Sequence, residues 1–155
     1  MNARSRHEDG LHTTSLTRGE ITVLGHLAEG RTQREAAAAL SVAVSTVAGY
    51  LTSAANKLLT SRAAATLHAA IIAGHLPAPE YTGPPVEFTN EERHLWQTFA
   101  TAPTKTAAAT ALGLSPTVVS SRLDALMSRA GARNPAHFIA LGHTHRVLSE
   151  AGPAS

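Results

Sequence analysis

Residues 16–76 and residues 88–148 align without a gap at a constant offset of 72 positions. At that offset Thr17 meets Thr89, Glu20 meets Glu92, Thr32 meets Thr104, Ala36 and Ala37 meet Ala108 and Ala109, Leu40 meets Leu112, Val47 meets Val119 and Leu51 meets Leu123. Other positions keep their class, as in Val23 with Leu95, Leu24 with Trp96 and Leu27 with Phe99. A repeat of this length is long enough for each copy to bury a small core, which sets it apart from the short period of a solenoid. The chain is therefore expected to hold a domain at 16–76, a linker at 77–87, a diverged second domain at 88–148 and a tail at 149–155, with residues 1–15 as a disordered arm.

Composition excludes several classes. The chain has 155 residues and no cysteine, so disulfides, thiol nucleophiles and thiolate metal sites are ruled out and nothing suggests an oxidising compartment. Residues 1–15 mix Arg4, Arg6, His7, Glu8 and Asp9 without an apolar run, which argues against a signal peptide or membrane span. A cytoplasmic protein with no membrane partner is the expectation. No segment is long enough for a sensory or receiver domain, so regulation by phosphorylation or a small-molecule signal is not expected.

Each copy reads as four helices. Thr17 with Glu20, Thr32 with Glu35 and Thr89 with Glu92 have capping-box spacing, in which hydroxyl and carboxylate each satisfy a backbone N–H at a helix start. Val47, Leu51, Ala54 and Leu58 form one apolar seam at helical spacing. In the first copy Gly30 ends helix one, Ser61 is expected to cap helix four and Gly74 to stop it. In the second copy Thr104 opens helix two. Ser115-Pro116 opens helix three, Gly131 ends it, and Asn134-Pro135 opens helix four. Residues 77–87 hold four prolines and a Thr82-Gly83 turn, predicting an extended, semi-stiff linker that joins the copies without fusing them.

The short helix from Thr32, the turn Ser41-Val42-Ala43 and the longer helix from Val44 have the proportions of a helix-turn-helix, whose second helix is presented to a major groove. The residues Leu16-Thr17, Glu20, Val23-Leu24, Ala28, Gly30, Thr32, Glu35-Ala36-Ala37, Leu40, Thr46-Val47 and Lys57-Leu58 make the first copy resemble the LuxR-type helix-turn-helix domain. The second copy is similar in a more diverged form through Thr89, Glu92, Ala100, Thr104, Leu112 to Ser115, Val119 and Gly131. The resemblance implies an all-α protein of two tandem four-helix domains without wings. It also implies DNA binding by the third helix and pairing through the fourth, as in a bacterial transcription regulator.

The departures are specific. Where the family carries a basic residue directly after the Thr-Val pair and a histidine two positions on, this chain has Ala48 and Tyr50 in the first copy and Ser120 and Arg122 in the second. Leu59 stands in place of the helix-ending glycine, which predicts an altered exit from the first recognition helix. The DNA-facing set is Val44, Ser45, Ala48, Gly49 and Thr52 in the first copy, and Thr117, Ser120, Ser121 and Arg122 in the second. Thr32, Arg34, Lys57, Thr104, Lys105, Arg129 and Arg133 complete it. The first copy holds five basic against three acidic residues and the second six against three, so both are basic. Each alone is expected to bind weakly, with the pair gaining by tethering.

Other residue clusters carry less. Trp96 and Phe99 fall on core positions of helix one rather than on a base-stacking surface. His143 and His145 diverge on a helix and have no acidic partner, which reads as surface histidines rather than a metal site. Serines 45, 53, 120 and 121 lack the flanking elements of a nucleophile, so no catalytic residue, cofactor or metal is assigned and the chain is read as non-enzymatic. Apolar residues on the fourth helices, Ala65, Leu67, Ala69, Ile71 and Ile72 with Phe138, Ile139 and Leu141, exceed what a three-helix core needs. The stiff linker favours a homodimer over pairing within the chain. The alternative function is a degenerate pair whose neutral first recognition helix, with Val44, Ala48 and Gly49 outward, binds RNA polymerase or another regulator rather than DNA.

Overall fold

The computed structural model describes residues 15–148, and within them the chain is all-helical with no strand. The expected arm, Ser15 excepted, and the tail at 149–155 lie outside the described residues. The first half comprises α1 (Arg18–Ala28), α2 (Gln33–Leu40), α3 (Val44–Leu58) and α4 (Ala63–Ile72). The second comprises α5 (Asn90–Thr101), α6 (Lys105–Leu112), α7 (Pro116–Ala130) and α8 (Pro135–Thr144).

The starts follow the expected chemistry. Capping boxes open α1, α2 and α5, and the side chains of Thr104, Ser115 and Asn134 accept from backbone N–H groups at the starts of α6, α7 and α8. Ser61 does not cap α4. The N-cap is Arg62, which makes no side-chain cap and directs its guanidinium across to the second half. Ala64, the second residue of α4, packs into the core of the other half.

Three of the four helix exits repeat in backbone even where side chains differ. Ser41 and Gly113, Leu59 and Gly131, and Gly74 and Arg146 are three pairs at the 72-residue offset, and all six have positive φ. Leu59 therefore does not alter the exit of α3. Thr60 N–H bonds to Ala55 C=O at 2.9 Å just as Ala132 N–H bonds to Met127 C=O at 2.9 Å, so both helices close with the same left-handed turn.

Two cores form. Val23, Leu24, Leu27, Val47, Leu51, Ala54 and Leu67 fill the first, and Leu95, Trp96, Phe99, Val119, Leu123, Leu126 and Phe138 the second. Trp96 is fully buried, stacks on Phe138 at 4.4 Å between centroids, and donates its indole N–H to the Phe138 carbonyl at 3.0 Å. A Cβ at Gly142 would come within 2.7 Å of that indole and 2.5 Å of Leu148, so glycine lets α8 approach α5 closely.

The halves are packed together, which corrects the expectation that the linker keeps them apart. α4 lies along α8, α8 packs on α1 and α4 packs on α5. Because α1 corresponds to α5 and α4 to α8, each cross-contact has its mate under an approximate two-fold exchange of the halves. The cores interlock accordingly: Ala136 and Ala140 from α8 join the first, and Ala64 from α4 joins the second. Of the residues expected to pair between chains, Leu67 and Phe138 are fully buried within this chain. Ile71 and Leu141 are half-buried against the two cores, and only Ile72 is exposed. The linker has no regular structure and bends at Gly83-Pro84, but it is docked: the Thr144 hydroxyl donates to the Pro79 carbonyl and the Tyr81 ring meets His145 edge-on at 4.7 Å. An extended tract spans a long distance per residue, so it can run back along the molecule as readily as hold the halves apart.

Candidate nucleic-acid interface

α2, the turn at Ser41-Val42-Ala43 and α3 form a helix-turn-helix in which the chain turns through 111° between the two helices. The seam of α3 is inward: Val47, Leu51 and Ala54 are buried. The opposite face, Val44, Ser45, Ala48, Gly49 and Thr52, is exposed along its length. In the second half the corresponding face of α7 exposes Thr117, Ser121 and Arg122, with Ser120 half-buried. Thr32, Arg34, Thr104 and Lys105 are exposed at the starts of α2 and α6.

Three of the cations assigned to DNA from sequence have intramolecular partners. Lys57 Nζ lies 3.0 Å from Glu20 Oε1, and Arg129 Nε lies 3.0 Å from Glu92 Oε2. These are the same pair in the two halves, because Glu20 and Glu92, and Lys57 and Arg129, are each 72 residues apart. Each glutamate also completes the capping box of its helix, so one carboxylate ties the start of helix one to the end of helix three. Burial alone would raise the Glu20 pKa, but hydrogen bonds from Ser53, the Thr17 N–H and Lys57 hold it below the usual carboxylate range. Hydrogen bonding from Arg129, then from the Thr89 N–H, does the same for Glu92. Arg133 faces Glu35 of the opposite half at 3.5 Å, with both side chains about half exposed. The retention of opposite charges at matched places was the available clue to the two equivalent pairs.

Other residues acquire roles that local sequence did not show. His143 is buried rather than superficial: its Nε2 lies 2.9 Å from Nδ1 of His68 on α4. Burial, with the neighbouring His68 second, pushes the His143 pKa down to about 4, and burial lowers that of His68. Among the described residues no three histidine, aspartate or glutamate side chains are grouped to hold a metal, and no single helix is long and apolar enough to cross a membrane.

Residues 14–69 match the family model described as bacterial regulatory proteins, luxR family. The match takes in α1, α2, α3 and most of α4. It supports a DNA-binding helix-turn-helix regulator in general terms. No curated protein and no solved structure matches this chain.

Proposed function

We propose that the chain is a transcription regulator that binds double-stranded DNA with two helix-turn-helix modules, residues 16–76 and 88–148, each offering its third helix to a major groove. The observation that carries this reading is the uncovered face of α3, Val44, Ser45, Ala48, Gly49 and Thr52, on a helix-turn-helix inside the family match. The second module rests on the 72-residue repeat, the shared left-handed exits and the exposed Thr117, Ser121 and Arg122 of α7. With the fourth helices paired inside the chain, one chain supplies both reading heads, as a dimer of separate chains does elsewhere. Small hydroxyls and methyls can read base edges, while Arg34, Lys105 and Arg122 supply phosphate contacts.

The test is selection from random duplexes followed by gel shifts across a salt series, with Ala48→Glu as the variant. Ala48 lies off the buried seam and glutamate is a good helix former, so the fold is retained. A negative charge facing the groove is expected to cut affinity by about two orders of magnitude. An Ala48→Glu chain with an unchanged helical spectrum and unchanged DNA affinity rejects the reading for the first half.

One observation favours a second reading. The exposed face of α3 carries no charged side chain, and Val44 is 40 % exposed on it. A neutral, partly apolar helix face suits a protein surface, such as RNA polymerase or another regulator, better than a phosphate backbone. In that case Ala48→Glu abolishes capture of the protein partner and leaves DNA binding by the second half intact.

A further inference from the structure

Where the halves meet they enclose a cleft of about 440 Å³ with walls drawn from both. That volume lies in the range of small-molecule sites, about 300–1,000 Å³. Leu27, Ala64, Phe99 and Ala136 give it an apolar lining, Arg31, Arg62 and Lys105 are its charged residues, and no carboxylate lines it.

Among the described residues two of those cations, Arg62 and Lys105, have no carboxylate partner. Arg62 is half-buried over the Phe99 ring at 4.5 Å, and its hydrogen bonds go to the carbonyls of Phe99, Ala102 and Pro103, with no carboxylate among its described partners. Burial lowers its pKa, the mark of a cation whose charge is incompletely compensated. Lys105 is the first residue of α6, where the helix dipole disfavours a positive charge. α4 and α8 also begin at the wall, at Ala63 and Pro135, with no acid in their first turns, so their partial positive charges add to the same field.

We propose that this cleft binds a small organic anion, with an aromatic or aliphatic body against Leu27, Phe99 and Ala136 and a carboxylate or phosphate head between Arg62 and Lys105. Planar guanidinium chemistry suits either head, and both heads match a cationic site with no acid in its lining. Because the walls come from both halves, a bound anion sets their mutual position. The inference does not rest on DNA binding and is tested without DNA.

The experiment titrates phenylacetate, phenyl phosphate, inorganic phosphate and benzyl alcohol into the full chain, read by amide chemical shifts. Phenylacetate or phenyl phosphate is expected to bind at about millimolar concentration or tighter, shifting Leu27, Phe99 and Ala136, and which of the two binds identifies the head group. Inorganic phosphate lacks the apolar body and benzyl alcohol the charge, so each is expected to bind at least about tenfold more weakly. Lys105→Ala, an exposed change that removes a cation from a helix start, keeps the fold and is expected to weaken binding about tenfold. Ala63→Phe fills the cleft from its wall and is expected to abolish binding. The proposal is overturned if neither aromatic anion shifts the lining residues, or if Lys105→Ala binds as the parent chain does.

Discussion

Arg62 and Asn134 occupy equivalent places 72 residues apart, at the N-caps of α4 and α8, and each reaches across to the opposite half. The Arg62 guanidinium donates to the Ala102 carbonyl, and Asn134 Nδ2 donates to the Gly30 carbonyl at 3.2 Å. Gly30 and Ala102 are themselves 72 residues apart. Two different side chains thus do the same job by the same route: the start of each fourth helix satisfies a carbonyl just past the end of the opposite first helix. Arg62 also bonds to the carbonyls of Phe99 and Pro103, so its removal leaves more acceptors without a partner. Arg62→Met is expected to lower stability by about 1–3 kcal/mol, measured by urea unfolding. A change within a few tenths of a kcal/mol shows that water replaces the guanidinium at no loss.

The in-chain pairing of fourth helices predicts the mass of the particle. Leu67 and Phe138, two of the side chains expected to hold two chains together, have no surface left to offer. Light scattering at micromolar concentration is expected to give the 16.1 kDa of a single chain, and DNA complexes to contain one chain per two half-sites. A mass twice that value disproves the single-chain arrangement.

Leu59 is the clearest conflict between a residue and its backbone. It sits at φ 60° with its side chain 91 % exposed, so it carries left-handed strain and returns almost no packing. Leu59→Gly, the residue found at the matching position 131, is expected to raise stability by about 1 kcal/mol in thermal or urea unfolding. Destabilisation instead means that the strain is smaller than the extra entropy of glycine in the unfolded chain.

How much of this was legible depends on the range of the interaction. Caps at Thr17, Thr32, Thr89, Thr104, Ser115 and Asn134 act within one helical turn, and the Val47-Leu51-Ala54 seam within one helix, so both were open to sequence reasoning. The packing of the halves was not, because a proline-rich tract specifies stiffness but not direction. His143 looked superficial because its partner, His68, is 75 residues away. In the candidate interface the repeat located the exposed faces of α3 and α7. Its matched opposite charges pointed to the Lys57–Glu20 and Arg129–Glu92 pairs, but a basic residue near a recognition helix has the same local signature in either role, and sequence reasoning assigns both to DNA.

The His68–His143 contact predicts acid sensitivity. Both pKa values are lowered in the fold, so the unfolded chain binds protons more tightly, and the stability conferred by the neutral pair is fully present above about pH 6.5. It is lost as pH falls from there toward about 4, the folded value of His143. His137 and His145, lowered mainly by burial, add to the same trend. Between pH 7 and 5, above the range in which the capping carboxylates titrate, the urea midpoint is expected to fall, and His143→Gln is expected to reduce that slope. Equal slopes in the two chains place the acid sensitivity elsewhere.

The ion pairs divide the cations into two classes that DNA binding can tell apart. Arg122 is exposed on α7, whereas Lys57 and Arg129 hold Glu20 and Glu92. Each phosphate neutralised adds about 0.9 to the magnitude of the slope of log affinity against log salt, so Arg122→Ala is expected to weaken binding and reduce that slope by about one. Lys57→Met removes the partner of a buried carboxylate and is expected to cost about 1–3 kcal/mol of stability while leaving the slope unchanged. Gel shifts over a salt series, alongside urea unfolding of the same variants, separate the two effects. If Lys57→Met flattens the salt dependence and Arg122→Ala does not, the first half carries the phosphate contacts, and Lys57 leaves Glu20 for DNA on binding.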